Sequence, residues 1–267
     1  MELLKSLRNI SRRKTELWID GHAKDLSVLG EFTALKELWL YRVSQQNIPV
    51  LEALELPKLE ILSIRLASFP DLTSISHFNT INTLAIWQCS KLQSLEGINL
   101  LSQLRALTLM QNGTIASLEP IASLEHLEKL AIVGGVFAKQ KLLSFEPIAH
   151  QRKRFKLLDL SGVKLENPDL SPLTRLPEPD EFGISARFYP LEQVAMLAAA
   201  YPRWGDQLMA LNDNSYSECK KCAGSKKILF KARSRDLCPQ CDAAKIEKFL
   251  TEFQLLVEEH KNQLGYG

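Results

Sequence analysis

One apolar motif, L-x-x-L-x-L, recurs through the first two thirds of the chain and limits the possible folds more than any other feature. The five clear copies begin at Leu35, Leu59, Ile81, Leu104 and Leu127, and a weaker copy begins at Phe155. These starting positions lie 24, 22, 23, 23 and 28 residues apart. A spacing this regular across successive copies indicates a chain built from stacked repeats rather than one leucine-rich helix.

The two closely spaced apolar residues of each copy predict a short strand with both side chains turned inward. The rest of each repeat then returns the chain across the opposite side. One repeat cannot bury its own apolar face, so the copies must stack, and the two ends of the stack need caps. We expect a short helix over residues 1–9 and a second helix over residues 191–201 to provide these caps.

Residues 14 to about 200 resemble a leucine-rich repeat solenoid of the 22-residue class that is common in bacterial proteins. The resemblance implies an α/β fold in which short parallel strands line a concave face. The family consensus has Asn or Cys three residues after the last strand leucine, and Asn112 and Cys89 match it. Cys89 is therefore expected in the solenoid interior rather than at a metal site. Other residues stand at this position in the remaining copies, so we expect irregular turns there.

The residues that flank the inward leucines point the opposite way and form what we call the concave face. Aromatic and long side chains are concentrated on this face: Trp18, Trp39, Tyr41, Arg65, Trp87 and Met110. Because tryptophan, tyrosine and arginine are enriched in binding hot spots, these six residues are predicted to bind a protein partner. One alternative is that the rings pack on one another as structural fill. Another is stacking on sugars or single-stranded bases, but the face lacks the basic residues that would follow phosphates.

The step from Leu127 to Phe155 is about five residues longer than its neighbours. We expect the extra length, which includes residues 138–141 and the basic run 150–154, to bulge as a solvated loop. Contact between this loop and a partner is the alternative.

Cys219, Cys222, Cys238 and Cys241 form two C-x-x-C pairs separated by fifteen residues. This pattern is typical of a closed structural site in which four thiolates surround one Zn²⁺. A redox-active pair is the alternative, but two paired motifs without a β-α-β context argue against it. Because residues 226–232 read as a strand, the module resembles a zinc ribbon.

The zinc-ribbon-like module is basic. Between Cys219 and Cys241, seven lysines and arginines accompany one acidic residue, a charge of +6 that four thiolates and one Zn²⁺ would reduce to +4. Nucleic-acid binding through the ribbon is therefore the alternative function. The whole chain carries 33 basic and 31 acidic residues, so no overall field favours nucleic acid or an anionic membrane.

Three regions follow from these patterns: a solenoid with its caps (1–202), a joint (203–216), and the zinc-ribbon-like module with a C-terminal amphipathic helix (217–267). The apolar stripe of that helix is expected to pack on the ribbon or on the end of the solenoid, and a homodimer or a partner helix is the alternative. The chain has neither a secretory signal nor an apolar stretch of membrane-spanning length. We therefore expect a cytoplasmic protein without a membrane partner.

No Gly-rich phosphate loop, metalloprotease motif or nucleophile elbow occurs in the sequence, so neither catalysis nor a small-molecule substrate is expected. The sequence thus predicts a non-enzymatic scaffold that binds a protein partner through its concave face. The resemblance to bacterial leucine-rich repeat proteins implies one such role, that of an immunity-type inhibitor that neutralises a toxin.

Overall fold

The computed structural model describes residues 3–112, 114–135, 139–151, 153–209, 212–228 and 236–264. The chain divides into two compact units. The repeat unit comprises Met1–Glu166 and Pro179–Ile184, and the second unit comprises Asn167–Glu178 and Ser185–Gly267. Residues 185–202 are predicted to form the end of the solenoid. By their contacts they belong to the second unit instead.

The described elements are thirteen strands, six α-helices and several short 3-10 turns. The strands are β1 (Glu16–Asp20), β2 (Glu37–Tyr41), β3 (Ile61–Arg65), β4 (Thr83–Trp87), β5 (Ala106–Met110), β6 (Lys129–Val133), β7 (Gln140–Leu142), β8 (Leu157–Leu160), β9 (Val163–Leu165), β10 (Glu181–Ile184), β11 (Asn212–Glu218), β12 (Ser225–Ile228) and β13 (Asp236–Leu237). The α-helices are α1 (Ile48–Glu52), α2 (Glu146–Ala149), α3 (Ser171–Thr174), α4 (Leu191–Ala200), α5 (Gly205–Met209) and α6 (Ala243–Leu264). The 3-10 turns are Leu26–Glu31, Gln45–Asn47, Thr73–Ile75, Ile98–Leu100, Glu119–Ile121, Ala186–Phe188 and Pro202–Trp204.

The repeat unit is built on a parallel sheet of eight strands in the order β1-β2-β3-β4-β5-β6-β8-β10. Neighbouring strands pair residue for residue, so that Leu38, Leu62 and Leu84 lie in one row. In β1 to β6 the second and fourth residues of every strand are at most 3% exposed. The predicted inward positions and the α/β leucine-rich repeat fold are confirmed. The 22-residue class and the zinc ribbon stay predictions.

The turns that follow four of the strands use a left-handed backbone conformation at residues other than glycine. Arg42, Leu66, Gln88 and Gln111 have φ of 56° to 58°. Cys89 follows the turn at Gln88, and the buried Asn112 follows the turn at Gln111. The side chain of Asn112 accepts a hydrogen bond from the backbone N–H of Cys89 and donates one to the carbonyl of Ile86. The interior position predicted for Cys89 is confirmed, since its side chain is fully buried.

The return segments of the repeat unit are short. Proline occupies the first turn of α1, of α2 and of the turn Glu119–Ile121, where its missing N–H has no intrahelical partner to lose. Leucine and isoleucine side chains from these segments complete the interior; Leu51, Ile121 and Ile148 are each fully buried.

The helix predicted over residues 1–9 is wrong for the described part of that segment. Leu4 instead forms a parallel bridge with Ile19 of β1, with hydrogen bonds from the N–H of Leu4 to the carbonyl of Trp18 and from the N–H of Asp20 to the carbonyl of Leu4. Asp25 then accepts hydrogen bonds from the N–H groups of Leu7 and Arg8. The edge strand β1 therefore provides the backbone hydrogen bonds of Leu4 that a helix would have formed within itself.

The solvated loop predicted after β6 is also wrong in part. Gln140 and Leu142 are buried in β7, which pairs with β9 as a separate parallel sheet of two strands. The side-chain amide of Gln140 donates to the carbonyl of Ile115 at 2.6 Å. Lys139 and Lys141 are exposed, whereas residues 136–138 and 152 lie outside the described part of the chain.

The second unit contains α3 to α6 and an antiparallel sheet of three strands, β11-β12-β13. The predicted joint at 203–216 is not a bare connection, since it contains α5 and most of β11. Helix α4 packs against α6 and covers its apolar stripe, of which Phe249 and Phe253 are buried. None of the described helices is both long and apolar enough to span a membrane.

Candidate partner-binding face and metal centre

The structure brings the four cysteines of the second unit together. Their sulfur atoms all lie within 4.8 Å of one another, with 3.8 Å between those of Cys219 and Cys241 and 3.3 Å between those of Cys222 and Cys238. Four sulfur ligands placed tetrahedrally at about 2.3 Å from a metal would be about 3.8 Å apart. The cluster therefore has the size and the donor set to hold one metal ion.

Each C-x-x-C pair lies in a tight turn next to a strand end. The first follows β11, and its turn is closed by hydrogen bonds from the N–H of Cys219 to the carbonyl of Gly224 and from the N–H of Ala223 to the carbonyl of Cys219. The left-handed backbone of Ala223, with φ of 56°, lets the chain reverse there.

The second C-x-x-C pair follows β13 and leads directly into α6. Asp242, just before the helix, accepts a hydrogen bond from the N–H of Cys238, and its own N–H donates to the carbonyl of the same residue. The Lys245 ammonium lies 2.9 Å from the Asp242 carboxylate and, with the Cys238 N–H, lowers its pKa. The residue that precedes α6 thus fixes the backbone of Cys238 through both of these hydrogen bonds.

The cluster does not favour four thiolates without a cation. Backbone N–H groups of Lys221 and Cys222 lower the pKa of the Cys219 thiol to about 6. Hydrogen bonding with the neighbouring sulfur atoms of Cys222 and Cys219 raises the pKa of Cys241 to about 12. Because metal ligands must be deprotonated, a bound cation would supply the stabilisation that the thiolate form of Cys241 lacks.

The concave face has an aromatic patch formed by Trp18, Trp39 and Tyr41. The rings of Trp18 and Trp39 stack with their centroids 4.1 Å apart and their planes 6° apart, and Tyr41 lies 6.2 Å from Trp18. All three side chains are half-buried. The stack follows from strand register, because Trp18 and Trp39 occupy directly paired positions of β1 and β2.

Arg65, Trp87 and Met110 lie in one row with Tyr41, at the ends of consecutive strands. The Arg65 guanidinium sits over the ring of Trp87, 5.8 Å from its centroid, and donates to the side chain of Gln88. The indole nitrogen of Trp87 is buried and has no hydrogen-bond partner. All six residues predicted to bind a partner thus share the concave face, although only the aromatic patch forms one stacked group.

A charged group at the same end of the sheet was not found from the sequence. Asp20, 3% exposed, pairs with Arg42 and accepts hydrogen bonds from the N–H and the ring nitrogen Nδ1 of His22. The bond from Arg42, followed by those from His22, holds the pKa of Asp20 well below its usual range. The signal was present as an acid ending one strand and a base following the next, 22 positions later.

No protein-family model matches the chain, and no curated protein matches it significantly. Among solved structures, an internalin C2 from Listeria monocytogenes is 22% identical over 59% of this chain and 66% of its own, with a TM-score of 0.44. An internalin, inlF, from the same organism is 17% identical over 71% of this chain and 66% of its own, with a TM-score of 0.36. The chain therefore spans under two thirds of each of these structures. At such values the fold assignment rests on the strand register and burial described above.

Proposed function

We propose that this chain is a non-enzymatic scaffold that recognises a protein partner through the concave face of its repeat unit. One observation carries the proposal: Trp18, Trp39 and Tyr41 form a stacked, half-exposed patch on the open side of the sheet. Grouped tryptophan and tyrosine side chains supply large contact areas at low entropic cost, and such residues dominate binding hot spots.

The surroundings of the patch favour a protein over a nucleic acid as the partner. Glu16 and Glu37 flank the tryptophans, and the nearby Lys36 and Arg42 are paired with Glu60 and Asp20. If the bases of a single-stranded nucleic acid stacked on the tryptophans, its phosphates would lie near these carboxylates, and the like charges would repel each other. A folded partner presenting apolar and basic side chains is better matched. An inhibitor that neutralises a toxin in the cytoplasm is the specific role we propose.

We propose further that the four cysteines bind one structural Zn²⁺. The four sulfur ligands leave no open position for a substrate, which is typical of structural rather than catalytic zinc sites. In this proposal the ion joins the turn after β11 to the start of α6 and thereby stabilises a small sheet whose strands contain few apolar residues.

The experiment begins with affinity capture of the tagged chain, with and without nuclease, followed by binding measurements on the purified pair. Replacing Trp39, Tyr41 and Trp87 together with alanine should weaken binding by about 2 kcal/mol or more. Thermal unfolding of the same variant should change much less than that of a core variant such as Leu84→Ala, because these half-buried side chains lie on the face of the sheet opposite the leucine interior. Leu100→Ala is the matched control, since Leu100 is 59% exposed in a return segment.

The alternatives make different forecasts for the same proteins. If the rings are structural fill, the triple variant will melt at a lower temperature and keep its affinity. If the cysteine module binds nucleic acid, the aromatic substitutions will be silent. Replacing Lys220 and Lys221, which are exposed in the first C-x-x-C turn, will then reduce a salt-dependent affinity. Unchanged protein binding by the triple aromatic variant would refute the proposed face.

A further inference from the structure

The tripeptide Glu-Leu-Trp occurs in both β1 and β2, and the two copies are in register. Glu16 therefore lies beside Glu37, and Trp18 beside Trp39. Each carboxylate accepts a hydrogen bond from the indole N–H two residues later in its own strand, at 2.7 Å from Trp18 and 2.6 Å from Trp39. The two carboxylates and the edges of the stacked rings together form what we call the acidic edge of the aromatic patch.

The acidic edge is not neutralised within the described chain. No ion pair joins Glu16 or Glu37 to a basic residue in the ranges that the structure describes, and the nearby Lys36 lies 3.3 Å from Glu60 instead. Like charges in directly opposed positions of neighbouring strands are unfavourable. Each carboxylate uses one oxygen for an indole N–H, which leaves its second oxygen to accept from another donor.

A third carboxylate, Glu128 just before β6, shows how the fold neutralises a charge within the chain. Glu128 is flanked by cations from both neighbouring repeats, with Arg105 at 2.8 Å and Lys156 at 2.6 Å. These contacts, led by Lys156, lower the pKa of Glu128. The contrast between Glu128 and the acidic edge points to a cation that comes from another molecule.

We propose that the acidic edge binds an arginine side chain carried by an extended segment of the protein partner, an inference that rests on the proposed function. A guanidinium group offers five N–H donors in a planar fork, which can bridge two carboxylates set roughly 5 Å apart by the strand spacing. It also stacks on indole rings and is less strongly hydrated than an ammonium group. The charge, the donor geometry and the aromatic surroundings all favour it.

Small side chains lie along the path by which a partner backbone would bring this arginine. Beyond Trp39, the same row of the concave face continues with Ser63, Ala85, Thr108 and Ala131, of which Ala85 and Thr108 are partly exposed and Ser63 and Ala131 are buried. These four positions span about 14 Å across four strands, the length of four or five extended residues. A partner segment can therefore cross the strands at close range and end with its arginine at the acidic edge.

The test uses a synthetic peptide, acetyl-Gly-Ala-Arg-Ala-Gly-amide, and the full chain. Binding is followed by the NMR shifts of the Trp18 and Trp39 indole N–H groups. We expect saturable shifts, and binding about tenfold weaker or more when citrulline, which is uncharged and of similar shape, replaces arginine. The lysine peptide should bind more weakly than the arginine peptide. Equal binding of the citrulline or lysine peptide, or no saturable shift up to about 20 mM peptide, would overturn the proposal.

Glu16→Gln combined with Glu37→Gln tests the same assignment from the side of the protein. Glutamine keeps an oxygen for each indole N–H, so the stack and the melting temperature should be retained while peptide affinity falls about tenfold or more. Glu55→Gln, at an exposed position of a return segment, should leave affinity unchanged. A double variant that binds the arginine peptide as before overturns the inference. If the alanine variants still lose the captured partner in that case, the proposed function stands without it.

Discussion

The repeat unit and the cysteine module are held together in different ways. In the repeat unit, eight parallel strands each add inward apolar side chains, mostly leucine and isoleucine, to one continuous interior, so the stabilising contacts are many and similar. The cysteine module consists of β11 to β13 and the two C-x-x-C turns. Its three short strands and two tight turns converge on four sulfur atoms. The repeat unit should therefore lose stability gradually as contacts are removed, whereas the cysteine module should depend on a single site.

Removing the proposed Zn²⁺ should have the largest effect and should act on one region alone. Apparent binding energies of structural zinc sites are about 10 to 16 kcal/mol, so metal-free protein should lose hydrogen-exchange protection in β11 to β13 and keep it in β1 to β6. Elemental analysis of untagged protein should find one zinc per chain. Cys219→Ser should abolish retention of the metal.

Cys89 provides the matched control for that experiment. It is a fifth cysteine, buried in the repeat unit, where burial raises the pKa of its thiol to about 11. Cys89→Ser should therefore leave the zinc content unchanged. Loss of zinc in this variant, or untagged wild-type protein free of metal, would contradict the assignment of the site.

A core substitution should have the next largest effect, and it should act on the other region. Leu84 is fully buried in β4, so Leu84→Ala should destabilise the repeat unit by about 3 to 5 kcal/mol through lost burial and a cavity. Denaturant unfolding followed by circular dichroism measures this change, while zinc content should not alter. Leu100→Ala is the matched substitution at an exposed leucine and should cost less than about 0.5 kcal/mol. Equal losses from the two variants would contradict the inward assignment of Leu84.

The parts of the fold that could be predicted from the sequence are those coded by short-range periodicity. The spacing of Leu107 and Leu109 defines a strand and its buried side without information from elsewhere in the chain. The C-x-x-C turns are equally local. Since the register of parallel strands follows from the repeat length, even the shared row of Trp18 and Trp39 could be anticipated, although their face-to-face stacking could not.

The predictions that failed concern segments whose hydrogen bonds are formed with distant residues. Leu3, Leu4 and Leu7 have helical spacing, but the N–H of Leu4 donates to the carbonyl of Trp18 in β1 and the N–H of Leu7 donates to the Asp25 carboxylate. The extra residues before β8 read as a loop because the partner of β7 is β9, more than twenty positions later. Local patterns do not show which strand edge will be free to pair.

The stability that the ion pair of Asp20 with Arg42 contributes should depend on pH, whereas the stability contributed by the apolar interior should not. The pKa of Asp20 is lower in the folded chain than its ordinary value of 3.8. The ion pair of Asp20 therefore stabilises the fold fully above pH 3.8, and this stabilisation is lost as the pH falls toward the pKa that Asp20 has in the folded chain. Asp20→Asn should therefore be less stable than wild type at pH 7, and the difference should shrink from about pH 5 downward. Urea midpoints at several pH values measure it. Glu125→Gln, at an exposed carboxylate, should show no such trend, and a difference for Asp20→Asn that is independent of pH would contradict the ion-pair explanation.

The smallest expected effect is a gain in stability at a turn of the repeat unit. Leu66 has φ of 58° and is 46% exposed, so its side chain adds little to the interior while its backbone is in a region that leucine rarely adopts. Left-handed backbone costs about 1 to 2 kcal/mol for most residues, and asparagine tolerates it better. Leu66→Asn should therefore raise the free energy of unfolding by about 0.5 kcal/mol, measured by denaturant unfolding. Leu100→Asn, at an exposed leucine without positive φ, should give no such gain. A loss at Leu66 would contradict this explanation, because its half-exposed side chain would then contribute more through packing than its backbone costs through strain.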